Sequence, residues 1–236
     1  VSTDDEKSVL VDRQIDDRSE VGDFVAYYTF EDRASAGILE DQSGNGNDGT
    51  VHGDPTWLSG SETGLRFDGS DDYVDVENIQ SQTEVDEFTI AVAYRPETGD
   101  TKQELGEHIN SGGSNWLLEL KDGSPGPDEY KLAYSVDKAG GSQTGQFFAG
   151  PYDAGERRVA VGTFDGTEYE LYVDGNKEGS NSFGSRQTVG VGDLTIARDG
   201  ESGANRDFLD GDIYEIRLYY TAFDGEQVEV ITEAMS

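Results

Sequence analysis

Short runs of alternating apolar and polar residues fill the chain from residue 24 onward, and clusters of Gly, Asp, Asn and Ser separate them. Alternation with a period of two is typical of a strand that has one face in a core. The regular spacing of many such runs predicts an all-β domain of the sandwich or barrel kind. The predicted strands cover residues 24–30, 64–67, 73–76, 88–95, 115–120, 130–136, 157–164, 168–173, 194–197 and 212–219.

Asp-Gly pairs mark several of the breaks between these runs, beginning at positions 68, 122, 165 and 174. This pair favours a tight hairpin because a type I′ turn needs positive φ at both of its central residues. The strongest hairpin prediction is therefore the segment 159–173, which has Asp165-Gly166 at its centre.

The two ends of the chain differ from this strand pattern. Residues 1–22 are polar and acidic, and we interpret them as a surface-lying lead-in or the stub of a linker. The remainder, 23–236, has a length that predicts one domain. Within it only 225–234 has helical apolar spacing, with Val228 and Ile231 on the apolar stripe.

The composition is compatible with a folded core that needs no covalent links. The chain has 236 residues, of which 33% are hydrophobic, so a sizeable core can be buried without disulfides. It contains no cysteine, which excludes a disulfide framework, a thiol nucleophile and a thiolate metal site. No apolar run approaches the roughly 18 residues of a membrane span, so direct membrane insertion is not expected.

Negative charge dominates the chain, with 50 acidic residues against 17 basic ones and a formal net charge of −33. Such a surface repels nucleic acid and anionic lipid headgroups, so neither is an expected partner. The 24 aromatic residues sit in strand-like runs, which argues against disorder. We therefore expect a salt-adapted protein from a halophile, because the Debye length falls to about 3 Å in 1 M salt and screens the repulsion.

Four blocks of sequence occur in an order that resembles the laminin G-like, concanavalin A-like lectin domains. The blocks are YYTFED at 27–32 with DQSGNGNDGT at 41–50, LRFDGSDDYVDV at 65–76, VAVGTFDG with LYVDG within 159–175, and GDIYEIRLY at 211–219. The resemblance extends from residue 24 to about residue 232 and implies a jelly-roll sandwich of two antiparallel sheets. The chain departs from the family at Glu156-Arg157-Arg158, where a Trp is usual, and at Tyr214, where an Asp is usual.

The resemblance also implies a structural Ca²⁺, a hard cation that takes six to eight oxygen ligands. The glycine-rich loop 43–49 would turn carbonyl groups toward the ion. The side chains expected around it are Glu31 or Asp32, Asp41, Asn45 and Asp212. The alternative is that Asp and Asn in this loop only make hydrogen bonds of the Asx-turn kind. The segment 68–75 is a second calcium candidate, although it also fits a hairpin turn.

Carbohydrate binding would use aromatic platforms beside polar side chains that recognise hydroxyl groups. The candidate rings are Trp116, Tyr134, Phe147, Phe148 and Tyr152. The segment 140–148 is expected to be a mobile loop that ends in exposed rings, and loops on a rigid scaffold often carry binding residues. The alternative for each ring is burial in the core, which we prefer for Trp57.

Catalysis finds little support in the sequence. Retaining glycoside hydrolysis needs two carboxyl groups about 5–5.5 Å apart, as acids at alternate strand positions would provide. The segments 75–77, 84–87 and 168–170 come nearest, but none completes the Glu-x-Asp-x-(x)-Glu strand of hydrolases that share the fold. The only histidines are His52 and His108, too few for most zinc sites or triads. We predict no catalytic residues.

The leading functional hypothesis is an extracellular or cell-surface domain that binds carbohydrate or mediates adhesion in a salt-adapted surface protein. The alternative is a structural domain of a surface filament or larger assembly that contacts other surface-protein subunits. A third hypothesis is a glycoside hydrolase or lyase. The first and third rest on the family resemblance, and resemblance of fold is only an analogy for function. The polar lead-in 1–22 motivates the second.

Overall fold

The computed structural model describes residues 24–30, 37–60, 62–80, 85–99, 101–110, 113–122, 128–138, 142–143, 146–184, 187–190, 192–200 and 207–236. The predicted lead-in 1–22 lies outside these residues, as do the predicted calcium ligand Glu31 and its alternative Asp32. None of the helices within the described residues has the length and hydropathy needed to cross a membrane.

Within the described residues the chain forms seventeen strands and one helix. The first nine strands are β1 (Ala26–Tyr28), β2 (Ile38–Leu39), β3 (Gly49–His52), β4 (Thr56–Leu58), β5 (Gly64–Asp68), β6 (Tyr73–Gln80), β7 (Phe88–Pro96), β8 (Gln103–Asn110) and β9 (Gly113–Asp122). The remaining elements are β10 (Glu129–Lys138), β11 (Ser142–Gln143), β12 (Phe147–Asp153), β13 (Arg158–Phe164), β14 (Glu168–Val173), β15 (Asn176–Ser182), β16 (Gly192–Ile196), β17 (Asp210–Tyr219) and α1 (Gly225–Met235).

The strands form two antiparallel sheets. The first sheet has eight strands in the order β15-β14-β13-β7-β17-β5-β4, with β1 also paired to β17. The second sheet has nine strands in the order β11-β10-β9-β8-β16-β6-β3-β2, with β12 also paired to β10. The prediction of a two-sheet antiparallel sandwich with a short C-terminal helix is confirmed.

The main core lies between the two sheets and is rich in large rings. Tyr94 and Tyr130 are fully buried there, and their hydroxyl groups lie 3.0 Å apart, so each hydroxyl has a polar partner. Trp116 stacks on Phe88 with ring centroids 5.8 Å apart. Burying one such side chain stabilises the fold by about 1.5–3 kcal/mol, so these rings are a main source of stability.

Helix α1 covers part of the outer face of the first sheet. Its buried residues Val228, Ile231 and Met235 join an apolar cluster with small β7 and β13 side chains such as Ala91 and Val161. The helix begins at a capping box in which Asp224 accepts the backbone N–H of Gln227 and the Gln227 side chain accepts that of Asp224. The predicted helix is therefore confirmed.

The two Asp-Gly hairpins of the first sheet form different turns. Asp174 and Gly175 join β14 to β15 with φ of 50° and 78°, which are the two positive values that a type I′ turn needs. Between β13 and β14 only Gly166 has positive φ, at 89°. There the Asp165 carboxylate accepts the backbone N–H groups of Thr167 and Glu168 and holds a wider loop.

Candidate functional site

The outer face of the second sheet carries charged side chains in cross-strand rows. Since Leu118 and Leu120 of β9 face the core, the intervening Glu119 and the following Lys121 face outward. Glu119 lies opposite Glu104 of β8 on one side and opposite Ala133 of β10 on the other.

Two strand pairings bring an aromatic ring and a second lysine to this face. Ala133 lies opposite Phe148 of β12, which extends the Glu104–Glu119 row to the ring. One step along the sheet, Lys121 of β9 lies directly opposite Lys131 of β10. The antiparallel register therefore gathers residues that are up to 44 positions apart in the sequence.

An open cavity of about 350 Å³ lies on this face, lined by Phe148, Lys102, Lys121 and Lys131. The Phe148 side chain is 53% exposed, which is unusual for a large apolar residue in the described part of this protein. The chain has only six lysines, so half of them line this one cavity. The cavity therefore combines an aromatic face with three ammonium groups.

Carboxylates beneath the cavity hold two of the three lysines in place. Lys102 Nζ lies 2.7 Å from Asp207 Oδ2, 3.1 Å from Glu119 Oε2, 3.7 Å from Asp199 Oδ2 and 3.9 Å from Glu104 Oε2. Lys121 Nζ lies 2.8 Å from Glu119 Oε1, which also accepts a hydrogen bond from the Gln146 side chain. Lys131 forms no ion pair with any side chain that the structure describes.

Glu104 is the unusual member of this cluster because it is 1% exposed and neither of its oxygens accepts a hydrogen bond from a described residue. Burial raises the pKa of Glu104 well above its usual value, and the nearby charges of Glu119 and Glu107 raise it further. Burial lowers the pKa of Lys102, but its ion pairs with Asp207 and the glutamates outweigh that effect and raise it. The protonated form of Glu104 is therefore favoured.

A second aromatic cluster lies on the same sheet face, at β3 and β6. The Tyr73 ring stacks on His52 with centroids 4.3 Å apart, and the guanidinium carbon of Arg198 lies 3.8 Å from the Tyr73 ring centroid. Asp75 accepts a hydrogen bond of 2.9 Å from Arg198 Nη2 and lies 3.4 Å from His52 Nε2. Cross-strand pairs link Asp75 through Thr195 to Glu107 of β8, so the polar face crosses most of the sheet.

The sequence of the chain shows which family it belongs to. Residues 68–229 match the family model Laminin_G_3, described as the Concanavalin A-like lectin/glucanases superfamily. The chain belongs to this superfamily. A search of curated proteins finds no match.

Solved structures similar to this superfamily member include binding domains of botulinum neurotoxins. The receptor-binding domain of botulinum neurotoxin type G matches with a TM-score of 0.69 at 13% identity, over 91% of this chain and 52% of that one. The binding domain of botulinum neurotoxin DC matches with TM-scores of 0.70 in complex with SialylT and 0.68 in complex with rat synaptotagmin II. Both DC matches have 11% identity and cover 91% of this chain and 52% of the other. This lectin-like chain thus spans about half the length of these structures, and the likeness establishes the fold.

The structure separates the five predicted sugar-binding rings of this lectin-like domain. Trp116 is 2% exposed and Tyr134 is fully buried, so the prediction that these two rings present a face to a sugar is wrong. Phe147 is half-buried against Tyr169, and the guanidinium of Arg158 lies 4.8 Å from the ring centroid of Tyr152. Only Phe148, the fifth ring, combines high exposure with a position in a cavity. The expected loop 140–148 also needs correction, because Phe147 and Phe148 begin strand β12.

Asp41 and Asn45, predicted as calcium ligands, organise their own loop instead. The Asp41 carboxylate accepts the backbone N–H groups of Tyr27, Ser43 and Asn47 and the Ser43 hydroxyl. The Asn45 side-chain amide donates to backbone carbonyl oxygens at residues 24 and 25. These donors use both oxygens of Asp41 to hold the loop, as the Asx-turn alternative predicts, and calcium binding at this loop stays a prediction.

Asp212, the third predicted calcium ligand within the described residues, lies in a different part of the fold. Its carboxylate accepts hydrogen bonds from Arg66 Nε at 2.7 Å and Arg95 Nη2 at 2.5 Å, so two cations already neutralise it. Tyr27 donates its backbone N–H to Asp41 and lies opposite Arg217 of β17. Arg217 is five residues from Asp212 along that strand, a distance of about 16 Å. The structure therefore does not bring Asp41 and Asp212 together around one ion.

The second calcium candidate, segment 68–75, does gather carboxylates. Oxygens of Asp68, Asp71 and Asp72 lie within 4.8 Å of one another beside an acidic cavity of about 610 Å³. Buried Asp72 already accepts the backbone N–H groups of Asp54 at 2.8 Å and Asp68 at 3.1 Å. These hydrogen bonds account for the position of Asp72, and calcium binding stays a prediction.

The acid pairs that came nearest to a hydrolase pattern have structural contacts where they are described. Glu170 accepts the Tyr172 hydroxyl and pairs with Lys177 at the edge of the first sheet. Asp75 pairs with Arg198 and His52, and Glu84 lies outside the described residues. None of these contacts resembles a pair of carboxylates that flank a substrate.

Sequence reasoning missed the lysines and glutamates of the cavity. Strand β8 was not predicted because a bulge between Glu104 and Gly106 disturbs its alternation and its outward positions are charged. One signal was available: four of the six lysines lie between positions 102 and 138 of a very acidic chain. Such local enrichment of a rare cation indicates a site that needs positive charge.

Proposed function

We propose that this protein is a carbohydrate-binding or adhesive domain and that its ligand binds on the outer face of the second sheet. The observation that carries the proposal is Phe148, a 53% exposed ring in a cavity surrounded by three lysines. The apolar face of a sugar ring packs on an aromatic side chain, while charged and polar groups around it bond the hydroxyls. Asp207, with a side chain 25% exposed beside Lys102, adds an acceptor to these donors.

The solved neighbours support ligand binding as the use of this fold. One of them is a complex with SialylT and another is a complex with a protein, rat synaptotagmin II. An exposed aromatic residue beside cations also fits the centre of a protein interface. Contact with other surface-protein subunits is therefore the second candidate, and the binding experiment below distinguishes the two.

A binding role without catalysis agrees with the surroundings of the buried glutamates. Glu104 has the raised pKa of a general acid, but both of its oxygens are inaccessible to solvent. A general acid must come within hydrogen-bond reach of the atom that it protonates. Lys102, Glu119 and Asp207 would have to move apart before a glycosidic bond could reach Glu104.

The proposal is tested by a glycan-array screen of the whole domain and of the variant Phe148→Ala, in low and molar salt. Loss of the aromatic platform should weaken binding about tenfold or more. The matched control is Tyr220→Ala, which removes another exposed ring outside the cavity. Equal affinity of the wild type and Phe148→Ala for the glycan would contradict the proposal that the ligand packs on Phe148. Binding to no glycan, with Phe148-dependent self-association or capture of a purified surface protein, would favour the second candidate.

We further propose that the domain works in concentrated salt and, as is typical of laminin G-like domains, outside the cell. The support is the net charge of −33, which leaves strong repulsion among carboxylates wherever salt does not screen them. The melting temperature should fall when salt is diluted from about 1 M to about 0.1 M, where the Debye length rises from roughly 3 Å to roughly 10 Å. An unchanged melting temperature would contradict salt adaptation.

A further inference from the structure

The cavity places two like charges directly opposite each other. Lys121 and Lys131 are cross-strand partners on β9 and β10, and both side chains are half-buried at the cavity. Like charges in this position destabilise a sheet, whereas opposite charges stabilise it. With 50 acidic residues in the chain, an acid opposite either lysine would have been the common arrangement. The lysine pair therefore indicates a demand for positive charge at this point.

The three ammonium groups of the cavity are not equally neutralised. Lys102 is surrounded by four carboxylates, and Lys121 shares Glu119 with it. None of these carboxylates forms an ion pair with Lys131, and Lys131 has no ion pair with any other described side chain. Lys131 thus brings positive charge to the wall beside Phe148, while Glu119 fixes the neighbouring Lys121 in position.

We infer that the cavity selects glycans that carry a negatively charged group, a carboxylate or a sulfate, over neutral ones. The inference rests on the proposed function and adds the class of ligand to it. The sugar ring packs on Phe148, and the acidic group lies against Lys131 and Lys121. Charge-assisted hydrogen bonds of this kind are about twice as strong as neutral ones, so the acidic group would dominate selectivity.

The strongly negative chain does not prevent such binding. Long-range repulsion of an anionic glycan is screened beyond about 8 Å at physiological ionic strength and more closely in molar salt. A contact between an ammonium group and an anion inside a cavity is screened much less. Rising salt should therefore speed the approach of an acidic glycan more than it weakens the contact at Lys131.

The test measures affinity for matched pairs of oligosaccharides by titration calorimetry in low and molar salt. One pair is a uronic-acid oligosaccharide and its carboxyl-reduced counterpart, and the other is a sulfated oligosaccharide and its desulfated counterpart. We expect the acidic member of at least one pair to bind about tenfold or more tightly. The pair that shows the difference identifies the acidic group.

Variants assign the effect to the lysine. Lys131→Gln should lower the ratio of acidic-sugar affinity to neutral-sugar affinity to near one, because the amide can still bond hydroxyl groups but carries no charge. Lys177→Gln is the matched control because Lys177 pairs with Glu170 on the other sheet. Equal affinity for acidic and neutral sugars, with Phe148→Ala still weakening both, would overturn this inference and leave the proposed function intact. If neither the acidic nor the neutral member of either pair bound, both this inference and the proposed function would be contradicted.

Discussion

The two sheets each carry a buried carboxylate on the outer face, and the surroundings of these carboxylates are opposite. On the first sheet, Asp212 of β17 lies directly across from Arg66 of β5 and Arg95 of β7 and bonds both. On the second sheet, Glu104 lies directly across from Glu119 and accepts no hydrogen bond from a described residue. The same cross-strand geometry thus places an acid opposite two bases in the first sheet and an acid opposite another acid in the second.

The outer faces of the two sheets also differ in what packs on them. Helix α1 packs on the first sheet, where cross-strand ion pairs and apolar contacts both contribute to stability. The second sheet instead presents a cavity lined by the opposed Lys121 and Lys131, with the opposed Glu104 and Glu119 buried beside it. Such pairs do not stabilise the sheet, which agrees with the proposed use of this face for binding. Four measurements can break or sharpen this contrast.

The largest effect is expected from Asp212→Ala. Removing the carboxylate leaves two guanidinium groups without their partner, and breaking a buried pair in this way costs about 3–5 kcal/mol. We expect about 3 kcal/mol of lost unfolding free energy, since both arginines are partly exposed to water. Urea denaturation measures the change. Asp153→Ala, at an exposed position on β12, is the control and should stay within about 0.5 kcal/mol. A loss no larger than the control's would show that the Asp212 cluster does not stabilise the first sheet.

Glu104→Gln should change stability in the opposite direction. Folding at neutral pH favours proton uptake by Glu104 because its folded-state pKa is raised, whereas glutamine is neutral without a proton. The amide can also donate a hydrogen bond to Glu119, so we expect a gain of about 1–2 kcal/mol at neutral pH. The same denaturation experiment applies, with Glu229→Gln on the exposed side of α1 as the control. A loss of stability in Glu104→Gln would mean that Glu104 is stabilised as a carboxylate.

The two acids should also respond to pH with opposite signs. Glu104 has a pKa raised above 4.5, so its contribution favours folding at low pH and is lost as pH rises through the folded-state pKa. Burial raises the pKa of Asp212, but hydrogen bonds from Arg66 and Arg95 outweigh it and lower the pKa below 3.8. Its contribution is therefore present above that pH and is lost as pH falls through the folded-state pKa.

Denaturation of the wild type and both variants between about pH 3 and about pH 8 measures these slopes. The advantage of Glu104→Gln should grow as pH rises, and the deficit of Asp212→Ala should shrink at the acidic end. Parallel curves for the wild type and a variant would show that the replaced acid has the same pKa in the folded and unfolded states.

The smallest effects are expected at the lysine pair, where Lys131→Gln and Lys121→Gln form a matched comparison. Lys131→Gln relieves like-charge repulsion and should raise stability by about 0.2–0.5 kcal/mol. Lys121→Gln also removes the ion pair with buried Glu119 and should lower stability by about 1 kcal/mol. Equal effects in thermal unfolding would mean that the two lysines have the same electrostatic surroundings.

Strands were predictable where one face is apolar and the other polar. The first-sheet strands β7, β13, β14 and β17 were all predicted near their observed bounds. Strands β8, β12 and β15 were missed for physical reasons. A bulge interrupts β8, the β12 sequence contains Gly150 and Pro151, and β15 is a wholly polar edge strand. None of these three presents a clean period of two.

The candidate site was predicted only in part because a single strand does not show which way an aromatic ring points. Trp116 lies in the segment NWLLEL and Phe148 in the segment QFFAG, and neither segment shows which face its ring takes, yet the first ring is buried and the second exposed. The difference depends on register: Trp116 pairs with His108 on the core side, and Phe148 pairs with Ala133 on the outer side. Register is a property of strand pairs and was not available from either segment alone.

The sequence by itself determined the features that depend on neighbouring residues, including the alternation of the main strands, the type I′ turn at Asp174-Gly175 and the capped helix α1. It also determined the excess of negative charge. Only the tertiary structure decided which charges face each other. Asp212 lies opposite two arginines and Glu104 lies opposite Glu119 because strand order and register bring distant residues within a few ångströms, where electrostatic interactions are strongest.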